Sequence, residues 1–301
     1  MAEPLVGFAI GFRPIQYVQY QVRILLKKLN VKKILIVEYY KKLQGGYNVL
    51  RIFVPTLLLF VFNYTNAQVE SNKKDNSKPT NVYSQIDNFI EFRTSPEFNI
   101  IGYNPRISYA PHENHAFILE VPLLYNLKYE KFGLGDVRFR YFGVAYRNYD
   151  NFFGSFGASL DVFAPTGKYE NGLGSSSWRI SPGLTFGFIL NRAKTISVFP
   201  VLSYIYTSEP SSDKVPQELK EIDHGASVQL ISSFVLSDDF FILITPILDF
   251  KDLEDEREDE FILEVEPVLD IMNDKFQAGV FYRGAFNSQS HTISLYFTVF
   301  I

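Results

Sequence analysis

From Tyr83 onward the sequence is a succession of short runs in which apolar and polar residues alternate, with no convincing 3.6-residue recurrence of an amphipathic helix. Period-two alternation gives a strand one apolar and one polar face. The runs fall at 83–94, 98–109, 115–127, 136–147, 152–163, 176–189, 194–206, 224–236, 240–250, 260–271, 274–286 and 290–301. Each is close to the roughly 9–11 residues that a tilted strand needs to cross a bilayer. The last run, HTISLYFTVFI, sets Ile293, Leu295, Phe297 and Val299 against Thr292, Ser294, Tyr296 and Thr298. An apolar strand at a terminus needs a partner, and pairing it with the first strand would close the sheet and remove both edges.

The connections sharpen this expectation. Those at 110–114, 148–151, 190–194, 237–239 and 272–274 are short, whereas those around 128–135, 164–175, 207–223 and 251–259 are longer. With residue 83 on the periplasmic side every short connection is expected on the periplasmic face and every longer one on the outer face, the asymmetry of outer-membrane barrels. The sequence therefore predicts an all-β fold, a transmembrane antiparallel up-and-down β-barrel of about 12 strands over residues 83–301. A soluble β-sandwich would show the same alternation with its apolar face inward. It accounts for neither the loop asymmetry nor the apolar leader described below.

In such a barrel a charge facing lipid is costly, so the charged faces are expected to point into the lumen. Asp136, Arg138 and Arg140 oppose Val137, Phe139 and Tyr141; Glu260, Glu264 and Glu266 oppose Phe261, Leu263 and Val265. Asp161 lies on a face with Ser155, Gly157 and Ser159, and Arg179 on a face with Ser181 and Gly183. With Arg106, Glu120 and Arg283 these are the candidate lumen-lining residues. Asp136 is expected to balance the charges of Arg138 and Arg140.

Residues 50–67 read LRIFVPTLLLFVFNYTNA, an apolar run preceded by Arg51 and ending with Thr65 and Ala67 at the −3 and −1 positions of a cleavage site. This is a signal-peptide pattern over 49–67, too short to span a bilayer as a helix. Cleavage would leave Gln68 first, followed by a polar linker over 68–82. Residues 1–48 precede the leader, and they are expected to be an upstream extension that translation starting near Val49 or Leu50 would omit. Residues 1–67 carry nine Lys and Arg against Glu3 and Glu38, which leaves 20 bases against 31 acids and a net charge of −11 in the remainder. An acidic body excludes nucleic acid as an expected partner. The absence of Cys rules out disulfides and thiolate chemistry, and the four His have no metal-pair spacing on a helix, so no metal and no cofactor is expected.

Two stretches, GLGDVRFRYFGVAY at 133–146 and ASLDVFAPTGKYENGLGSSSWRISPGLTFGF at 158–188, resemble the outer-membrane barrel family labelled MetA-pathway of phenol degradation. Gly133, Leu134, Gly135 and Asp136 match its strand entry, and Pro165, Thr166, Gly167, Gly172 and Gly174 match its Pro-Thr-Gly and Gly-rich loop. The resemblance implies a channel or transporter in the bacterial outer membrane for small, aromatic or otherwise hydrophobic compounds. The implied surroundings are outer-membrane lipid and lipopolysaccharide, the assembly machinery that reads a carboxy-terminal aromatic strand, and a small-molecule cargo. A structural barrel or adhesin without transport is the alternative. A barrel-embedded hydrolase built on His224 or His291 with Ser212, Ser227, Ser288 or Ser290 is a third, and no enzyme activity is expected. The acidic run 252–259 reads as a solvated outer loop.

Overall fold

The structure, a computed structural model, describes residues 74–217, 220–250, 259–271 and 275–301. The upstream extension, the signal peptide and the first residues of the linker lie outside the described residues, as do most of the acidic run and the turn 272–274. Fourteen strand segments follow one another: β1 (Gln85–Thr94), β2 (Asn99–His112), β3 (His115–Glu120), β4 (Leu123–Asn126), β5 (Lys131–Leu134), β6 (Val137–Arg147) and β7 (Phe153–Ala164). After a short 3₁₀ turn come β8 (Arg179–Ile189), β9 (Ile196–Thr207), β10 (Asp223–Ser237), β11 (Phe240–Phe250), β12 (Glu260–Ile271), β13 (Phe276–Ala285) and β14 (Ser290–Phe300).

Every pairing is antiparallel and the sheet closes on itself. β1 pairs β2 on one side and β14 on the other, from Gln85↔Phe300 to Thr94↔His291. Segments β3 and β4 form one stave, interrupted at Val121 and Pro122, and β5 and β6 form the next, interrupted at Gly135 and Asp136. Both breaks lie side by side, with the Gly135 amide donating to the Pro122 carbonyl at 2.8 Å. Pro122 has no amide hydrogen to give to the ladder, so the break sits where the chain can tolerate it. The result is a closed 12-strand barrel.

The strand runs read from the sequence hold within a few residues, with three corrections. The connection expected over 128–135 is a β-hairpin, because β4 and β5 pair from Leu123↔Leu134 to Asn126↔Lys131 and carry two staves outward. Strand β2 extends further on the periplasmic side, leaving residues 113 and 114 as the turn to β3 where 110–114 was expected. On the outer side, 95–98 and 286–289 are as short as the periplasmic turns, so only part of the outer rim is long-looped. Register shifts at Tyr109/His112, Val144/Tyr146, Phe153/Ser155 and Val235/Ser237 all lie near the periplasmic ends of their staves. Bulges at a barrel rim bend a strand and end its pairing.

The outside of the ring is apolar. Ile90, Leu119, Leu184, Leu202, Leu248 and Leu295 are all exposed there. Aromatic pairs gather towards both strand ends, with Tyr146–Phe153 and Phe153–Phe188 on the periplasmic side and Tyr206–His224 and Phe261–Phe286 on the outer side. Such belts place amphipathic rings at the two membrane interfaces.

Candidate functional site

The inward face is not uniformly polar. Phe89, Val235, Phe241, Val268 and Tyr296 form a buried cluster at the wall of the lumen. Tyr296 can lean inward because its neighbour across the β13–β14 ladder is Gly279, where a Cβ would come within 2.5 Å of the Tyr296 ring. Around this wall lies a cavity of about 300 Å³, lined by apolar groups such as Ile118, Phe142, Val201 and Leu243 and by the charged Asp87, Arg106, Arg140, Asp161 and Glu266.

The charged candidates are brought into one network across the first staves. Arg106 Nε lies 2.8 Å from Glu120 Oε1, and Arg106 reaches Asp87 at 4.0 Å. Arg138 Nη1 donates to the same Glu120 oxygen at 3.1 Å, while its Nε donates to Asp161 at 2.8 Å. Arg140 completes the chain with two bonds to Asp161, at 2.7 and 2.8 Å. The bidentate geometry holds both side chains in one arrangement and neutralises them locally. Elsewhere on the wall, Arg283 donates to Glu264 at 2.5 Å, Glu266 takes a hydrogen bond from the Tyr296 hydroxyl, and Arg179 lies 3.9 Å from Asp249.

Two candidates have other employment. Asp136 does not balance Arg138 and Arg140; its carboxylate accepts the Gly167 amide at 3.0 Å, the Ser175 amide at 2.8 Å and the Ser175 hydroxyl at 2.9 Å. Thr166 joins the same knot by donating to the Gly135 carbonyl at 2.6 Å. The loop 165–178 is thereby tied to the stave break, and it sends Leu173 to pack on Ile100 and Leu124. Gly172 turns that loop with φ at 63°, a left-handed conformation that glycine takes without a Cβ penalty. Glu260 sits at the outer rim, where its carboxylate accepts the Asn287 and Ser288 amides at 2.9 and 3.2 Å and so fastens the turn after β13.

Several lumen groups escaped the sequence reading. Asp87 and Asp249 lie on inward faces whose neighbours are mixed, so no run of charges marks them. The plainest omission is the segment before β1. Residues 74–84 are not a free linker but a knot seated in the periplasmic mouth. Within it Lys78 pairs with Asp75, and the Asn81 side chain donates to the Asp75 carbonyl at 2.7 Å. Against the wall, the Asn76 amide donates to Gln277 at 2.9 Å, and Thr80, fully buried, lies 2.9 Å from Ser155 Oγ and 2.7 Å from the Tyr149 hydroxyl. Arg147 donates to the Thr80 carbonyl at 2.9 Å, and Tyr149 donates to Asn81 at 2.9 Å. The segment thus touches β7 on one side and β13 on the other.

Burial pushes the Tyr149 hydroxyl from its ordinary 10.0 up to about 12. The seated segment favours the neutral phenol, so below pH 10 its docking is at full strength. It weakens as pH rises from 10 towards 12, where a released Tyr149 ionises and a docked one does not. Ionic conductance is expected to rise through that window, and in Tyr149→Phe the rise should be absent. Bilayer recordings at pH 8, 10 and 11.5 check this.

The two histidines of the hydrolase alternative each bond a tyrosine. His224 bonds the Tyr204 hydroxyl and stacks on that ring, and His291 lies 3.1 Å from the Tyr282 hydroxyl and stacks likewise. Among the described residues no group of three or more His, Asp or Glu could hold a metal ion.

A closed antiparallel ring with an apolar girdle satisfies every strand edge internally, and it defines the chain as a β-barrel of the bacterial outer membrane. Its fold is similar to that of an outer membrane channel from Pseudomonas putida F1, with a TM-score of 0.53 at 14% identity over 77% of this chain and 99% of that one. It is also similar to the NanC porin, with a TM-score of 0.53 at 9% identity over 72% and 99% of the two chains. No family model and no curated protein sequence matches the chain.

Proposed function

We propose that this barrel is an outer-membrane channel for small compounds, and that its cargo is aromatic or otherwise hydrophobic. The cavity carries the reading: about 300 Å³ of space in the lumen, where Phe89, Phe142, Phe241 and Leu243 stand among Ser, Thr, Asn and Gln side chains and the charges of Asp87, Arg106, Arg140, Asp161 and Glu266. In a concave site, apolar faces give a ring its contact area and polar groups set its orientation, and this lining offers both. The resemblance of 133–146 and 158–188 to the phenol-degradation barrels supports the aromatic class, and the fold shared with two outer-membrane channels supports passage rather than catalysis.

The seated segment 74–84 favours a second reading, a structural barrel closed at its periplasmic end. Planar-bilayer recording of refolded protein separates the two. A channel with a displaceable stopper should conduct weakly as the whole chain and severalfold more strongly when residues 74–82 are deleted. A deletion variant that is folded yet silent would leave the structural reading standing.

A further inference from the structure

Towards the middle and outer part of the lumen stand Arg106, Arg138, Arg140, Arg179 and Arg283, and four of these five are closely paired with a carboxylate. Arg106, Arg138, Arg140 and Arg283 each hold a carboxylate oxygen within 2.5–2.8 Å. Arg179 does not. Its ion-pair partner, Asp249, stands 3.9 Å away on β11, beyond hydrogen-bonding distance, and its Nε is buried without a partner. Among the described residues no other of these five lacks a carboxylate in bonding reach.

Leaving a guanidinium nitrogen buried and unpaired is costly, and the cost is recovered when a ligand supplies the acceptor. A carboxylate is the group whose two oxygens match the fork of the guanidinium. Two further guanidinium groups, Arg283 and Arg138, act on Arg179 with like charge, against the carboxylates of Asp249 and Asp161. Beside the fork lies a flat apolar surface. This is the Phe163 ring, with the guanidinium carbons of Arg138 and Arg179 at 5.1 and 5.8 Å from its centroid. Nearby on β10, Ser227 pairs with Asp249 across the ladder, and its hydroxyl is buried without a partner, a further donor on the same stretch of wall. Arg179 opens β8 and Asp249 comes at the end of β11, which puts both towards the outer end of the lumen, where cargo would enter.

We propose that Arg179, with the Phe163 ring beside it, is a recognition site for small aromatic monocarboxylates. The carboxylate takes the place that Asp249 approaches without filling, and the ring lies along Phe163. The proposal rests on the channel reading for its biological sense, but its test does not depend on conductance. Refolded full-length barrel in detergent is titrated calorimetrically with sodium benzoate, and with benzamide as the uncharged analogue of the same shape. Benzoate is expected to bind and benzamide to bind far more weakly. Arg179→Gln should weaken benzoate roughly tenfold or more, the effect of removing a paired, charge-assisted contact. Asp249→Asn should tighten it, since the competing carboxylate is gone, an outcome that damage to the fold would not imitate. Both variants are compared as heat-modifiable, folded protein. Benzamide binding as tightly as benzoate, an Arg179→Gln protein that binds like the parent, or a folded parent that ignores benzoate would each overturn the site. A silent bilayer with intact benzoate binding would remove the channel reading and keep the site; conductance without benzoate binding would do the reverse.

Discussion

Deleting residues 293–301 is expected to abolish formation of the folded barrel. That stretch supplies most of β14, which is registered on both sides: with β1 from Gln85↔Phe300 to Thr94↔His291, and with β13 from Phe276↔Val299 to Ala285↔Ser290. Its loss would leave two rows of backbone N–H and C=O groups facing hydrocarbon, where each unsatisfied group costs several kcal/mol. Side-chain ties go with it, including the Thr298 hydroxyl that donates to Asp87 at 2.6 Å and the Tyr296 ring of the inward cluster. Deleting 253–258 shortens an outer connection and should leave assembly intact. Heat-modifiable gel mobility of the two refolded proteins decides: a compact band from the strand-deleted chain would contradict ring closure by β1 and β14.

The strands were legible because lipid imposes a strict rule on them. With hydrocarbon outside, each outward position has to be apolar, and Ile293, Leu295 and Phe297 announce β14 as clearly as any motif. The inside has no such rule, which is why the lumen was read only in part. Arg138, Arg140 and Asp161 stood out as charges on otherwise regular strands, and the structure brings them together through paired hydrogen bonds. Asp249 and Asp87 left no such mark. The role of Asp136 was hidden for another reason. Its parity matches that of Arg138, but it lies at a stave break, where backbone amides of a distant loop compete for its carboxylate and win. Period two describes a strand and says nothing about where the strand is interrupted. The segment 74–84 was misread on composition, since a polar stretch with Pro79 looks like a linker. Its burial depends on Thr80, Asn76 and Asn81 finding partners on β7, β13 and the turn between β6 and β7, contacts of a kind that no local pattern encodes.

The sharpest test of which face is which compares charge changes on β12 and β14, the strands on either side of β13. Glu264 and Glu266 both point inward on β12, one paired with Arg283 and the other bonded by Tyr296. Changing both to Lys shifts the lumen by four charges while leaving the lipid face untouched. Arg283 would lose its partner, so some stability is lost, yet water in the lumen can solvate the new charges and the ring still closes. The expected result is a folded barrel whose permeability ratio moves towards anions, because lumen charges tune selectivity. Leu295 points the other way, 61% exposed on the outer face of β14 and paired across the ladder with Ile90 of β1, itself exposed. Leu295→Lys places an ammonium against acyl chains at a cost of about 2–4 kcal/mol near the midplane, falling towards the interfaces. Its folded fraction in bilayers should drop, and reversal potentials of any barrels that do form should match those of the parent. A double Lys variant that fails to fold beside a Leu295→Lys protein that folds normally would mean that the inward and outward faces are exchanged.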